Sequence, residues 1–177
     1  WLLDNFHLVE AQLKEIKEGL PRSYYRKLPL LQDEPLAGLP RIYGVAWAFV
    51  AHTDGAFDEA LLVQYLSAYE DVRQLNLSEM WALPTTLRVV LIENLRRLAE
   101  GIAAHKAARE VANMCVDQLR ALTIEVLDGL LEVLNKRGVG QSFLLQMALR
   151  LQDHHMARID GEQAALQSWL QAALPDL

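Results

Sequence analysis

Five histidines, one cysteine and 23 carboxylates are the groups in this 177-residue chain that could hold a metal or move a proton. Metal ligation needs several of them at fixed spacing, and no His-Glu-x-x-His, no Cys–His cluster and no EF-hand loop occurs. His7, His52, His105, His154 and His155 are scattered. Neighbouring helical residues point about 100° apart, so His154 and His155 do not make a bidentate site by themselves. Acid–base catalysis needs two carboxylates brought together in a cleft. Here most of them fall beside Lys or Arg on polar helix faces and read as solvated. Gly138-Val139-Gly140-Gln141-Ser142 is glycine-rich, but no strand precedes it and no Gly-Lys-Ser/Thr follows. It reads as an interhelical turn and not as a phosphate loop. Cys115, between Met114 and Val116, reads as a small buried hydrophobe, and a single cysteine forms no internal disulfide. The residues therefore predict no catalytic site, no metal and no cofactor.

Aromatic and polar side chains offer binding in place of catalysis. Trp1, Phe6, Tyr24, Tyr25, Tyr43, Trp47 and Trp81 could stack sugar rings if exposed, but aromatics at helical spacing ordinarily form core. Trp47 sits in an all-apolar stretch and is expected in the core. Tyr24 and Tyr25, flanked by Arg22 and Arg26 in a proline-rich segment, are the candidates for exposure and ligand contact, with Trp1 beside them. Asn94 interrupts the apolar positions Leu91 and Leu98, and Arg88, Glu93, Arg96 and Arg97 lie on the same helix. Arg88, Glu93, Asn94 and Arg97 read as a hydrogen-bonded network that fixes helix packing, with a docking surface as the alternative.

The elements that must hold these residues are helices. Leu2, Phe6, Val9, Leu13, Ile16 and Leu20 form one stripe at spacings of three and four, ended by Gly19 and Pro21. Residues 21–40 carry Pro21, Pro29, Pro35 and Pro40, so they must be extended or turning apart from a short helical piece around Ser23 to Lys27. A connection that long is expected to be ordered by its own side chains or to be functional. From about Leu39 to His52 the pattern is apolar nearly all round, which predicts a central helix surrounded by others. Phe57 to Val72 is amphipathic. Asn76 and Glu79 have capping-box spacing and should start the next helix, which Pro84 should kink or divide. The helical pattern then continues to about Lys136, with a break near Ala121-Leu122-Thr123. Gly138-Val139-Gly140 is a turn, Ser142 a candidate cap, and Gly161 separates a last helix carrying Trp169.

Leu and Ala dominate and β-branched residues are sparse, which agrees with an all-α chain. The expected fold is an irregular antiparallel bundle of seven or eight helices, forming one domain over residues 1–177. The chain begins at Trp1 and not at Met, and is expected to be a fragment of a larger protein. A net charge of −6 argues against a nucleic-acid backbone as partner. The most apolar window, Ile42 to Ala51, falls far short of the ~20 residues that span a bilayer, so no direct membrane insertion is expected.

One resemblance goes further than these patterns. Trp1-Leu2-Leu3-Asp4-Asn5-Phe6-His7, Leu20-Pro21-Arg22-Ser23-Tyr24-Tyr25-Arg26-Lys27-Leu28-Pro29, the segment Leu36 to Asp54, Leu75 to Trp81 and Leu87 to Leu98 follow one another as separate blocks. Together they resemble the N-terminal region of the cyclic β-1,2-glucan synthases, large bacterial membrane glycosyltransferases. The resemblance implies a parent protein that builds cyclic glucan from UDP-glucose, with membrane helices and a transferase domain following this region. No Asp-x-Asp and no Gln-x-x-Arg-Trp occurs here, so the family's catalytic residues have no positions to be carried onto. The implied role is a non-catalytic docking or structural domain. It would lie on the cytoplasmic side of the bacterial inner membrane, with the membrane and glycosyltransferase domains of the parent as partners. A β-glucan-binding module and an unrelated helical protein-interaction adaptor are the alternatives.

Overall fold

The computed structural model describes residues 4–118, 122–154 and 161–174. Among them the chain is all-α. Eight helices follow in order: α1 Phe6–Gly19, α2 Arg22–Tyr25, α3 Arg41–His52, α4 Glu59–Val72, α5 Leu77–Asp117, α6 Ile124–Lys136, α7 Gly140–His154 and α8 Gly161–Ala173. No strand occurs among the described residues, and Leu30 and Pro40 make one isolated bridge. The chain divides into two compact units, one through Arg97 and one from Leu98 onward. Each has its own buried apolar cluster.

In the first unit α3 supplies the largest share of the core. Ile42, Val45, Ala46, Phe49 and Val50 are buried, and Leu28, Leu75, Ala82, Leu83, Leu87 and Val90 complete the cluster. The helix is not wrapped on every side, however. Trp47 is 37% exposed, against the expectation that it is core. A helix apolar all round has no polar face to show which side is left open, so periodicity could not place Trp47. Helix α1 is also less covered than its stripe suggests. Phe6, Leu8 and Leu13 are exposed, and none of its residues is fully buried. Its close approach is at the C-terminal end, where a Cβ on Gly19 would lie 3.0 Å from Thr85 Oγ1.

The proline-rich crossing is ordered by backbone as much as by side chains. Leu31 N–H donates to Leu39 O at 2.8 Å, and Arg41 N–H donates to Pro29 O at 2.7 Å, which closes the segment into a loop. Leu31 packs so tightly on α3 that a Cβ at Gly44 would sit 2.8 Å from its Cδ1. After α3, Gly55 N–H donates to Val50 O at 3.0 Å, and Asp54 takes a positive φ of 51°. This is a Schellman ending, in which the chain leaves the helix through a left-handed residue.

Of the two expectations at Pro84, a kink or a division, helix α5 excludes the division, since it runs 41 residues through that position. The reason lies in the face involved. Pro84 is exposed, as is Met80, whose carbonyl loses its helical donor. Water can satisfy that carbonyl, so the missing bond costs less than it would in a core. The break near Ala121-Leu122-Thr123 agrees with α5 ending at Asp117 and α6 starting at Ile124, although Ala121 lies outside the described residues.

In the second unit α6 packs on α7 and α7 on α8. Phe143 and Met147 are fully covered, among Leu127, Ala112 and Leu170. Three side-chain bonds tie α5 to α7: His105 Nδ1 to Ser142 Oγ at 2.7 Å, Gln146 Nε2 to Asn113 Oδ1 at 2.9 Å, and Arg150 Nη2 to Asp117 Oδ1 at 2.9 Å. Both members of the pairs advance in number together, so this part of α5 and α7 run in the same direction. That is the relation of alternate helices in an up–down–up arrangement. Ser142 is no cap: α7 begins earlier, at Gly140, and Phe143 N–H donates back to Val139 O at 3.2 Å. Cys115 is buried, and that burial raises its thiol pKa, which keeps it protonated and unreactive.

Candidate functional site

The best-defined polar constellation sits where α3 and α5 begin. Asn76 caps α5: its Oδ1 accepts from Glu79 N–H at 2.9 Å, and Glu79 Oε2 accepts from Asn76 N–H at 3.0 Å. This is the capping box expected from the spacing. Glu79 then does something its spacing does not reveal. Its carboxylate, fully buried, receives both Nε and Nη2 of Arg41, the first residue of α3, with the Nε bond at 2.7 Å. Arg41 Nη2 also donates to Gln74 O at 3.1 Å. One carboxylate thus satisfies an orphan helix N–H and a buried guanidinium together.

The electrostatics follow from that geometry. Burial is the largest influence on Glu79 and pushes its pKa upward, but the bonds from Arg41 and the Asn76 backbone outweigh it and leave the group below its usual range. Arg41 moves further up, chiefly through its bond to Glu79. Both groups stay charged, and each needs the other. Removing one partner of such a pair costs about 3–5 kcal/mol, because the remaining charge is buried alone. A carboxylate held this firmly is no proton carrier near neutral pH, so the constellation locks two helices and offers no acid–base chemistry.

Tyr24 and Tyr25 are half-buried and pack against the first core. Tyr24 Oη donates to Ser78 O at 2.7 Å, which ties the proline-rich crossing to the start of α5. Burial, and less strongly Tyr43, raises the pKa of Tyr25. Trp1 lies outside the described residues. Of the four residues read as a polar network, the structure joins two. Arg97 Nε donates to Glu93 Oε1 at 2.9 Å, and Arg96 Nε donates to Glu93 Oε2 at 2.8 Å. The Arg96 bond first, then that of Arg97, lowers the Glu93 pKa to about 2. Arg88 is elsewhere and pairs with Glu15 of α1 at 2.8 Å. The Asn94 side chain makes no hydrogen bond to protein among the described residues.

A second site escaped the sequence reading. Trp47, Val50, Ala51, Val90, Glu93, Asn94 and Arg97 line an open hollow of about 120 Å³ between α3 and α5. The Schellman turn closes in beside it, since a Cβ on Gly55 would come 3.4 Å from Asn94 Nδ2. Asn94 was legible as an oddity on an apolar face, but nothing local showed that Trp47 faces it. Among the described residues no group of three His, Cys, Asp or Glu side chains could hold a metal. No helix among them is long and apolar enough to cross a membrane.

No family model matches the chain. Over 154 residues, 86% of its length, it is 36% identical to the cyclic β-(1,2)-glucan synthase NdvB of Rhizobium meliloti (strain 1021). This chain is related to a region of a cyclic β-1,2-glucan synthase. The matched stretch is 5% of that protein, so the likeness concerns one region of a much longer chain. It spans most of the residues described above, including part or all of both units, because 154 matched positions exceed what either unit contains.

Proposed function

We propose that this chain is a non-catalytic helical region of a cyclic β-1,2-glucan synthase whose parent protein transfers glucose from UDP-glucose. It serves there as a structural and docking element, packed against the membrane-embedded or transferase part on the cytoplasmic side of the bacterial inner membrane. The observation that carries the reading is the 36% identity over 154 residues to a segment of NdvB. The non-catalytic part is supported by the chemistry on the page. The one buried carboxylate among the described residues, Glu79, is committed to Arg41 and a helix cap.

Docking is supported by an uncovered apolar stripe at the head of α5. Leu77 and Trp81 are each 75% exposed, Met80 is 39% exposed, and Pro84 follows on the same side. Spacings of three and four place them along one face. A large indole left in water at the end of a rigid helix suits a contact with another part of the parent. The test is Leu77→Ser with Trp81→Ser in the full-length synthase. Cyclic glucan synthesis should fall at least about tenfold, while the same changes leave the thermal midpoint of the 177-residue chain within about 2 °C. Full synthesis by the double variant would sink the docking role.

A further inference from the structure

The hollow beside Trp47 has a composition that selects among ligands. Its indole is 37% exposed on a helix whose Ile42, Phe49 and Val50 are buried, and Val50 and Val90 supply an apolar floor. The half-buried Asn94 amide, which has no hydrogen-bond partner among the described residues, keeps two donors and an acceptor for a ligand. Arg96 and Arg97 both bond Glu93, at 2.8 and 2.9 Å, so the charges on the rim are already engaged with one another. A purely apolar ligand would leave the amide unpaired, and an anion would find the lining cation, Arg97, already bonded to the Glu93 carboxylate. A neutral ring with one apolar face and a hydroxyl edge satisfies all of these groups at once.

We propose that the hollow is a subsite for a neutral β-linked glucosyl chain, with one pyranose ring against the Trp47 indole and its hydroxyls on the Asn94 amide and Glu93 carboxylate. The hollow itself calls for a ring with one apolar face and a polar edge. The β-linked glucosyl identity rests on the reading of the chain as part of a glucan synthase. The site is distinct from Tyr24 and Tyr25, whose rings are engaged with the first core. Its volume, about 120 Å³ and open on one side, fits the face of one sugar ring in a longer chain and not an enclosed small molecule.

The experiment is an NMR titration of the 177-residue chain with linear β-1,2-linked glucooligosaccharides, read on the tryptophan indole and asparagine side-chain amide signals. Trp47→Phe and Asn94→Asp identify the relevant signals by their disappearance. The Trp47 and Asn94 signals should move and saturate, while those of Trp81 and Trp169 stay in place. Trp47→Ala and Asn94→Ala should each weaken binding by about tenfold or more. Backbone spectra of Asn94→Ala that match the parent chain confirm that the weakening is not a loss of fold. Static Trp47 and Asn94 signals up to about 10 mM oligosaccharide would overturn the proposal. So would an affinity unchanged in both alanine variants, and an equal response to α-linked glucooligosaccharides would overturn the β-linked assignment. A flat titration leaves the docking role, which is tested at Leu77 and Trp81, standing on its own.

Discussion

The buried set of the first unit contains Arg41, Glu79 and Thr86 among its apolar side chains, whereas that of the second, from Ala108 to Leu170, is apolar apart from the Cys115 thiol among the described residues. Polar groups in the second unit work mostly at its edge, although Arg150 Nε is buried without a hydrogen-bond partner among the described residues. Trp169 Nε1 donates to Asp128 Oδ1 at 2.6 Å, and Arg150 and Asp117 pair at 2.9 Å, with Asp117 and Asp128 both exposed. The contrast concerns what each core demands. Hydrocarbon contacts are non-directional and tolerate a change of shape at constant volume. A two-pronged guanidinium–carboxylate contact tolerates neither a shift in register nor the loss of a partner. The first unit therefore fixes one arrangement of the starts of α3 and α5, and with it the wall positions Trp47 and Asn94.

The comparison can be broken at its strongest point first. Arg41→Ala should cost about 4 kcal/mol in denaturant-induced unfolding, because Glu79 is left buried and unpaired. The loss should be most evident in hydrogen exchange of α3 and the head of α5. Arg41→Lys should remain damaging, since an ammonium cannot reproduce the fork that meets both carboxylate oxygens. In the second unit, Leu127→Ala should cost about 3 kcal/mol by leaving a cavity, but Leu127→Met less than about 1.5 kcal/mol. A mild Arg41→Lys together with a severe Leu127→Met would reverse the contrast.

Smaller effects sharpen it. Asn76→Ala removes the cap of α5 and should cost about 1 kcal/mol, less than either core change. Acid supplies a further handle. The folded pKa of Glu79 lies below its ordinary value of 4.5, so its stabilising contribution is complete above that value and fades as pH falls through the lower folded pKa. The stability gap between the parent chain and Glu79→Gln should therefore narrow steadily below about pH 4.5. A gap independent of pH would remove the charge from the account. Glu93 titrates at about 2 for a different reason, its two surface arginines, and solvent screens that cluster. Glu93→Gln should leave unfolding nearly unchanged at neutral pH, as measured in the same denaturant series.

Much of this is legible in the amino-acid sequence. Apolar positions at spacings of three and four gave the helices, and the Asn76–Glu79 spacing gave a cap that the structure contains. These are local signals, written within one or two turns. Arg41 and Glu79 are 38 residues apart, and an arginine opening one helix carries no mark of the carboxylate it will meet. Trp47 illustrates the same limit from the other side. On a helix with no polar face, only the packing of neighbours decides which ring stays open. Pro84 shows how exposure can overrule a local rule, because a lost backbone bond matters less where water can replace it. The likeness to the glucan synthases was visible in blocks of sequence, but the hollow that could use a glucan was not.

The most direct test of the central claim, that this region supports a glucan synthase without performing its chemistry, is a radiolabelled UDP-glucose assay on the purified 177-residue chain with β-1,2-glucooligosaccharide acceptor and divalent cation. The account predicts no labelled glucan above the protein-free control over any incubation that leaves the chain folded. Labelled product that grows with chain concentration, and disappears when the chain is unfolded, would contradict it.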